Sequence, residues 1–275
     1  MLNQQAMRSN ETLVRAVTAD EITQFQKDGW VKLEGFLSCE LVKRLHYTAQ
    51  RRMGDDGDSN ALSVSTVEFC NAVAGAALTD PLLRPLVSQV GKAAKSLMSR
   101  GAGIEVRYTS DSFVAKLPAT KKYKHAGNGR TGFHQDFAAW CIDRSGGMTF
   151  WVALTDLTPA WGTMSFVNGS HRLGVLGHYG AYGKGDLLDI YPEILDHCVM
   201  SAPVTYAAGD VTVHSNLCVH GAGLNLADGP RLAYLILVNP ADARWTGGAA
   251  EAFDVAGLRP HQELDDVRFP IISRD

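Results

Sequence analysis

The sequence is organised around the stretch Thr131-Gly132-Phe133-His134-Gln135-Asp136-Phe137, in which a His-x-Asp pair ends a glycine-rich segment. Side chains alternate between the two faces of an extended strand, so residues i and i+2 point the same way. His134 and Asp136 are therefore expected to project together, with Gln135 on the opposite face. An imidazole nitrogen and a carboxylate side by side predict two ligands of a divalent metal ion.

A third ligand is expected farther along the chain, and His220 in Val219-His220-Gly221-Ala222-Gly223 is the best candidate. Two histidines and one carboxylate on one face leave coordination positions open, the arrangement of non-haem Fe(II) oxygenases. His214 stands as the alternative third ligand. Taken alone, His-x-Asp more often marks a solvated loop pair. The metal site is favoured because the pair is followed, in order, by apolar runs, a His-Gly and Arg231.

Composition limits the protein class. The chain has 275 residues, 45% hydrophobic and 20% charged, which suits a single globular domain spanning 1–275. A net charge of −3 without a long basic stretch argues against nucleic acid as a partner. We expect no membrane span, because no apolar run approaches roughly 18 residues, and no signal peptide, because the first twenty residues lack an apolar core. Five scattered cysteines predict free thiols and a cytoplasmic location. The oligomeric state is left open.

The order of elements predicts a mainly β fold with flanking helices, built on a double-stranded β-helix, also called a jelly roll or cupin-like core. We expect the helical flank at about 18–100 and the jelly-roll core at about 104–240. Helices are predicted at 18–27, 38–52, 66–78 and 81–98, from capping residues and apolar periodicity. Alternation and turn residues predict strands at 30–34, 104–108, 113–116, 148–154, 163–167, 204–206, 211–214 and 231–238.

Several segments resemble the phytanoyl-CoA dioxygenase family of Fe(II)/2-oxoglutarate oxygenases. They are Thr18–Ile22, Asp28–Leu37, Lys116–Pro118, His134–Asp136, Trp151–Asp156, Gly162–His171, and His220–Asn225 with Arg231. The resemblance covers nearly the whole chain. It implies Fe(II) held by His134, Asp136 and His220, with 2-oxoglutarate as cosubstrate and O2 as oxidant. Related halogenases have Gly or Ala at the carboxylate position, so Asp136 argues against halogenation.

The resemblance also assigns residues to the cosubstrate. Arg231 matches a family arginine that lies eleven residues after the distal histidine and holds the far carboxylate of 2-oxoglutarate through its planar fork. Lys116 resembles a family lysine near the cosubstrate. Trp151 matches a tryptophan lining the site, although a core tryptophan explains it equally well. Family members often have Ser where Ala222 stands, so Thr163 is the candidate for the missing hydrogen bond.

Three loops are expected to rim the site, at 117–130, 137–147 and 172–200. Their aromatic and other apolar residues, among them Phe137, Trp140, Ile142 and Tyr179, favour a small and largely apolar natural product, such as a terpenoid or alkaloid, that is hydroxylated. An acyl-CoA held by the Lys121–Lys124 cluster or a free amino acid is the alternative. A jelly-roll isomerase or hydrolase and a metal-free binding module are further alternatives. The glycine-rich 172–200 segment is a candidate mobile lid.

Overall fold

The computed structural model describes residues 12–57, 64–65, 70–72, 76–98, 104–120, 127–180 and 185–274. Three longer helices flank the sheets: α1 (Ala19–Asp28), α2 (Cys39–Met53) and α3 (Leu83–Met98). The predicted capping box is present, since Thr18 accepts from the Glu21 amide while the Glu21 side chain accepts from the Thr18 amide. Gly29 ends α1 at φ 82°, a left-handed conformation that suits glycine.

The described residues also form ten strands and three short α-helices. The strands are β1 (Trp30–Leu33), β2 (Val64–Ser65), β3 (Cys70–Ala72), β4 (Val106–Lys116), β5 (Thr131–His134), β6 (Met148–Ala153), β7 (Met164–Phe166), β8 (Val211–Ser215), β9 (His220–Ala222) and β10 (Arg231–Pro240). The short helices are α4 (Phe137–Trp140), α5 (Leu187–Ile190) and α6 (Ile194–His197).

The strands form two antiparallel sheets. The major sheet has the order β1-β8-β6-β10-β4-β3-β2, and the minor sheet has the order β5-β9-β7. Their inner faces meet in a cluster that contains Trp151 and Ala233 of the major sheet and Phe166 of the minor sheet. The Phe166 ring also stacks on Trp30, with centroids 4.4 Å apart. The fold is thus mainly β with a jelly-roll core and flanking helices, as expected from the sequence.

Strand β10 shows how the sequence separates the two faces of the major sheet. Leu232, Tyr234, Ile236 and Val238 belong to the core beneath the helices, together with residues of α2 and α3. Arg231 and Ala233 alternate with them and face the minor sheet. Burying each large apolar side chain contributes about 1.5–3 kcal/mol, so the helical flank stabilises the sheet that carries the site.

Four predicted elements differ in the structure. The two strands at 104–108 and 113–116 form one continuous strand, β4, because the intervening Asp111 is buried and accepts hydrogen bonds from Tyr108, Tyr234 and the Ala77 amide. The helix at 66–78 is wrong, since its described part holds β3 and a 3-10 turn. No strand forms at 204–206, where Tyr206 makes only an isolated bridge to Leu157.

The tail after Pro240 lies outside the predicted core but packs on it. Phe253, Leu258, Leu264 and Phe269 form a buried cluster with Trp140 of α4. Among the described residues, no helix has the length and apolar character needed to span a membrane. Four cysteines, Cys39, Cys141, Cys198 and Cys218, are free thiols. The Lys121–Lys124 cluster lies outside the described residues.

Candidate metal centre

His134 and His220 sit opposite each other on the minor sheet, as paired residues of β5 and β9. Their rings are 4.3 Å apart between centroids. Asp136 lies beyond the end of β5, in a right-handed helical conformation (φ −60°, ψ −31°) that begins α4. Strand alternation therefore does not bring His134 and Asp136 together as predicted. The turn into α4 brings the carboxylate back beside both imidazoles.

The three side chains present their donor atoms to one another. Asp136 Oδ1 lies 3.4 Å from His134 Nε2 and 3.7 Å from His220 Nε2. One ligand atom from each residue lies within 4.8 Å of the others, and this is the group that the described part of the chain offers to a metal ion. All three residues are buried. Such a set of two imidazole nitrogens and one carboxylate oxygen fits Fe(II).

The tautomers of both histidines are set by the backbone. His134 Nδ1 is 2.8 Å from the Gly132 carbonyl, and His220 Nδ1 is 3.0 Å from the Cys218 carbonyl. A carbonyl oxygen only accepts, so each Nδ1 carries the hydrogen and each Nε2 keeps its lone pair. Both lone pairs are thus free for a metal on the side where Asp136 lies.

The electrostatic environment favours the protonation states that a metal requires. Burial alone would raise the pKa of Asp136, but the surrounding imidazoles of His220, His134 and His214 hold this pKa well below its usual range. Burial, together with His214 and His134, lowers the pKa of His220 well below its usual value. An ionised carboxylate and a neutral imidazole are the forms that bind metal.

His214, the alternative ligand, contacts the triad differently. Its Nε2 lies 3.2 Å from Asp136 Oδ2, the oxygen that faces away from the other two histidines. Thr149 Oγ1 donates to the same oxygen at 2.8 Å. Sequence analysis missed Thr149 entirely, because nothing in its local sequence indicates a partner on the other sheet.

Arg231 is a buried cation on the face of the major sheet that meets the minor sheet. It donates to the Gly162 carbonyl, and its guanidinium lies 5.2 Å from the centre of the Trp151 ring. Its Nε has no hydrogen-bond partner, and no carboxylate pairs with it among the described residues. Burial lowers the pKa of Arg231 to about 10, so the group is still charged at neutral pH. A buried cation without an anion indicates a site for a bound anion.

Thr163 follows the carbonyl that Arg231 contacts, and its hydroxyl is buried without a partner. Trp151, beside Arg231, is 3% exposed and packs 5.0 Å from Tyr206. An orphaned hydroxyl and an orphaned guanidinium nitrogen on neighbouring residues fit the carboxylate end of a dicarboxylic acid.

Lys116 pairs with Arg231 across β4 and β10. Its ammonium donates to the carbonyls of Gly129 and Gly223 and to the Thr131 hydroxyl, at 2.9–3.1 Å. These bonds join β4 to both ligand-bearing strands of the minor sheet near their ends. Lys116 is therefore a buried cation beside Arg231 that is held by backbone carbonyls and a hydroxyl.

The rim is only partly as predicted. Trp140 and Ile142 are buried under the C-terminal tail and do not line an opening. The described part of the 172–200 segment docks on β5 from outside. Gln135 donates to the Gly174 and Leu217 carbonyls and accepts from the Leu176 amide. Asp186 accepts from the Phe133 amide at 3.0 Å and pairs with Arg130.

Comparisons with known proteins agree with this geometry. Residues 25–233 match the family described as Phytanoyl-CoA dioxygenase (PhyH). The ectoine dioxygenase of Bordetella parapertussis is 25% identical over 253 residues, covering 82% of this chain and 76% of that protein.

Two solved structures from nogalamycin biosynthesis are also similar. One is the non-haem α-ketoglutarate-dependent carbocyclase SnoK, 26% identical with a TM-score of 0.74 over 94% of this chain and 98% of its own. The other is the epimerase SnoN in complex with Fe3+, α-ketoglutarate and nogalamycin RO. It is 26% identical with a TM-score of 0.72, over 92% of this chain and 97% of its own.

Proposed function

Because this chain belongs to the phytanoyl-CoA dioxygenase family and is an Fe(II)/2-oxoglutarate-dependent dioxygenase, we propose that His134, Asp136 and His220 hold its iron. The family, the reaction class and the cofactors expected from the sequence are confirmed. One observation carries the assignment of the ligands: two bare imidazole Nε2 atoms and Asp136 Oδ1 converge in a buried pocket. Iron bound there, with 2-oxoglutarate and O2, supplies oxidising power while 2-oxoglutarate is decarboxylated to succinate.

The protein's own residues bind and orient the reactants. We propose that Arg231 binds the far carboxylate of 2-oxoglutarate and that Thr163 donates to it, since both side chains have buried polar atoms without partners. Trp151 covers the Arg231 guanidinium and keeps water away from this ion pair. Lys116 holds the pocket wall in place through its carbonyl contacts. An isomerase or hydrolase using its metal as a Lewis acid has no need of this dicarboxylate anchor.

The proposed substrate is a small, largely apolar natural product, such as a terpenoid or alkaloid, that is hydroxylated. Six of the ten large hydrophobic side chains exposed in the described part of the chain lie between Leu173 and Met200. This segment contacts β5, the strand that carries His134, and its apolar surface is the proposed border of the substrate site. SnoK and SnoN, from nogalamycin biosynthesis, support a natural product as substrate.

An amino-acid-like substrate is the second candidate, and the match to an ectoine dioxygenase favours it. An acyl-CoA is a third candidate, which depends on Lys121, Lys122 and Lys124. We propose that the chain is one domain, acts in the cytoplasm and binds no nucleic acid.

Succinate release from 2-oxoglutarate, under Fe(II) and O2, tests these candidates. A panel of terpenoid and alkaloid scaffolds, ectoine, free amino acids and acyl-CoAs is scored for substrate-dependent succinate, with His134→Ala as the inactive control. We expect stimulation by apolar scaffolds. Stimulation by an acyl-CoA that disappears when the three lysines are neutralised would overturn the substrate class and leave the iron chemistry intact.

A further inference from the structure

The two oxygens of the Asp136 carboxylate have different surroundings. We propose that Thr149 and His214 are positioning residues that clamp Oδ2, so that Asp136 offers only Oδ1 to the metal. This inference rests on the proposed function, because it assumes that Asp136 is a ligand. Oδ1 faces His134 Nε2 and His220 Nε2 at 3.4 and 3.7 Å, whereas Oδ2 is 2.8 Å from Thr149 Oγ1 and 3.2 Å from His214 Nε2.

Strand register places both clamp residues. Thr149 of β6 and His214 of β8 are directly paired in the major sheet, with their side chains on the inner face. They are 3% and 1% exposed, so water does not compete for their hydrogens. Asp136 approaches from the turn that follows the minor sheet. The clamp is therefore a link between the two sheets, formed at the metal pocket itself.

The hydrogens can be assigned from the chemistry of the partners. An ionised carboxylate only accepts, so Thr149 Oγ1–H and His214 Nε2–H both donate to Oδ2. His214 Nε2 then has no lone pair for a metal, which separates its role from those of His134 and His220. The His214 ring is held between its neighbours, 4.1 Å from His220 and 5.5 Å from Phe166 between centroids. This packing fixes the direction of its N–H.

The clamp matters because a carboxylate can bind a metal through one oxygen or through two. With both of its donors, Oδ2 is occupied by hydrogen bonds, and Oδ1 would be the oxygen that Asp136 offers to a metal. Without them, the carboxylate is free to rotate about its χ2 angle and loses the orientation that suits the histidines. Removing such outer partners of metal ligands typically weakens metal binding 10–100-fold.

Metal affinity of the purified full-length chain, stripped with a chelator and titrated with Co(II) in a calorimeter, tests the clamp without any substrate. Thr149→Val keeps the shape but loses the hydroxyl, and we expect about 10–100-fold weaker binding. Thr149→Ser restores a hydroxyl and should recover most of the affinity. Thr212→Val is a matched control, because this buried threonine of β8 bonds Tyr206 and not Asp136; it should bind Co(II) like the wild type.

His214→Phe keeps a ring and removes the second donor, so it provides an independent test if Thr149→Val fails to fold, as judged by circular dichroism. We expect weaker Co(II) binding in this variant too. Wild-type affinity in folded Thr149→Val or His214→Phe, with binding still lost in His134→Ala, would overturn the clamp alone. Undiminished Co(II) binding in His134→Ala would instead overturn the proposed ligand set and, with it, the clamp.

Discussion

Arg231 combines complete burial with an unpartnered guanidinium nitrogen, and this is the basis of the first prediction. Replacing it by leucine should weaken 2-oxoglutarate binding at least about tenfold, because a buried charge-assisted contact is worth on the order of 2–5 kcal/mol. Metal affinity should not change. Arg231→Lys retains the charge but not the planar fork, so its affinity for 2-oxoglutarate should lie between those of the wild type and Arg231→Leu.

A cosubstrate titration monitored calorimetrically on the Co(II)-loaded protein measures this effect. Equal 2-oxoglutarate affinity in the wild type and in a folded Arg231→Leu variant would show that Arg231 does not bind the cosubstrate.

At this scale, the sequence predicts the proposed ligands well and their partners poorly. His134, Asp136, His220 and Arg231 lie in short motifs whose spacing carries the chemistry. Thr149, and the contact of His214 with Asp136, are recognisable only from the pairing of β6 with β8, because both side chains reach Asp136 across the gap between two sheets. Long-range contacts of this kind leave no trace in local sequence.

Among the elements, β4 carries a titratable group in its interior. Burial raises the pKa of Asp111, although hydrogen bonds from Tyr108, the Ala77 amide and Tyr234 oppose this shift. The folded protein therefore binds this proton more tightly than the unfolded chain does. Its contribution to stability should be greatest at acidic pH and should decline as pH rises above the ordinary carboxyl value of 3.8.

Urea unfolding of Asp111→Asn and wild type between about pH 4 and pH 7 measures this contribution. The variant should gain stability relative to wild type as pH rises. Asp143→Asn is the contrasting variant at lower pH, because the hydrogen bond from Arg144 lowers the pKa of Asp143. The contribution of Asp143 is present above the ordinary value of 3.8 and is lost as pH falls below it. A difference between Asp111→Asn and wild type that does not change with pH would contradict this account.

The described part of the 172–200 segment, here called the strap, is a second element with a testable anchor. Gln135 accepts from the Leu176 amide and donates to the Gly174 carbonyl, so Gln135→Ala should accelerate amide exchange in the strap while leaving β10 protected. Hydrogen exchange followed by mass spectrometry resolves the two regions. Unchanged protection of 173–180 in the variant would show that other contacts hold the strap.

Helices α1 and α2 were predictable because their caps, Thr18 and Ser38, are local signals. The continuous strand β4 was not predictable, since Asp111 in mid-strand is tolerated only where distant partners satisfy it. Likewise, the turn that brings Asp136 beside His134 is set by α4, whose Trp140 packs on a tail more than a hundred residues later in the sequence.

In the molecule as a whole, Arg107 of β4 links the major sheet to the C-terminal tail. It is 4% exposed and donates to the Ala241 and Phe269 carbonyls and to Asp266. Arg107→Ala should lower the free energy of unfolding by about 3 kcal/mol, because two buried carbonyls lose their partner. Arg244→Ala, at a half-exposed ion pair with Glu263, should cost no more than about 1 kcal/mol.

Thermal and urea unfolding measure both variants. We also expect a single cooperative unfolding transition for the wild type, because the C-terminal tail and the major sheet share a hydrophobic core. Two separate transitions would contradict the proposed single domain, and equal stability losses in the two variants would contradict the role of Arg107.

The most direct measurement for the proposed iron site is the Fe(II) content of the purified protein after anaerobic loading and desalting, taken together with succinate release from 2-oxoglutarate. We expect one Fe(II) per wild-type chain with succinate formation. We expect loss of both in folded His134→Ala, Asp136→Ala and His220→Ala. Full iron occupancy and activity in His220→Ala, with loss of both in His214→Ala, would contradict the proposed ligand set and identify His214 as the third ligand.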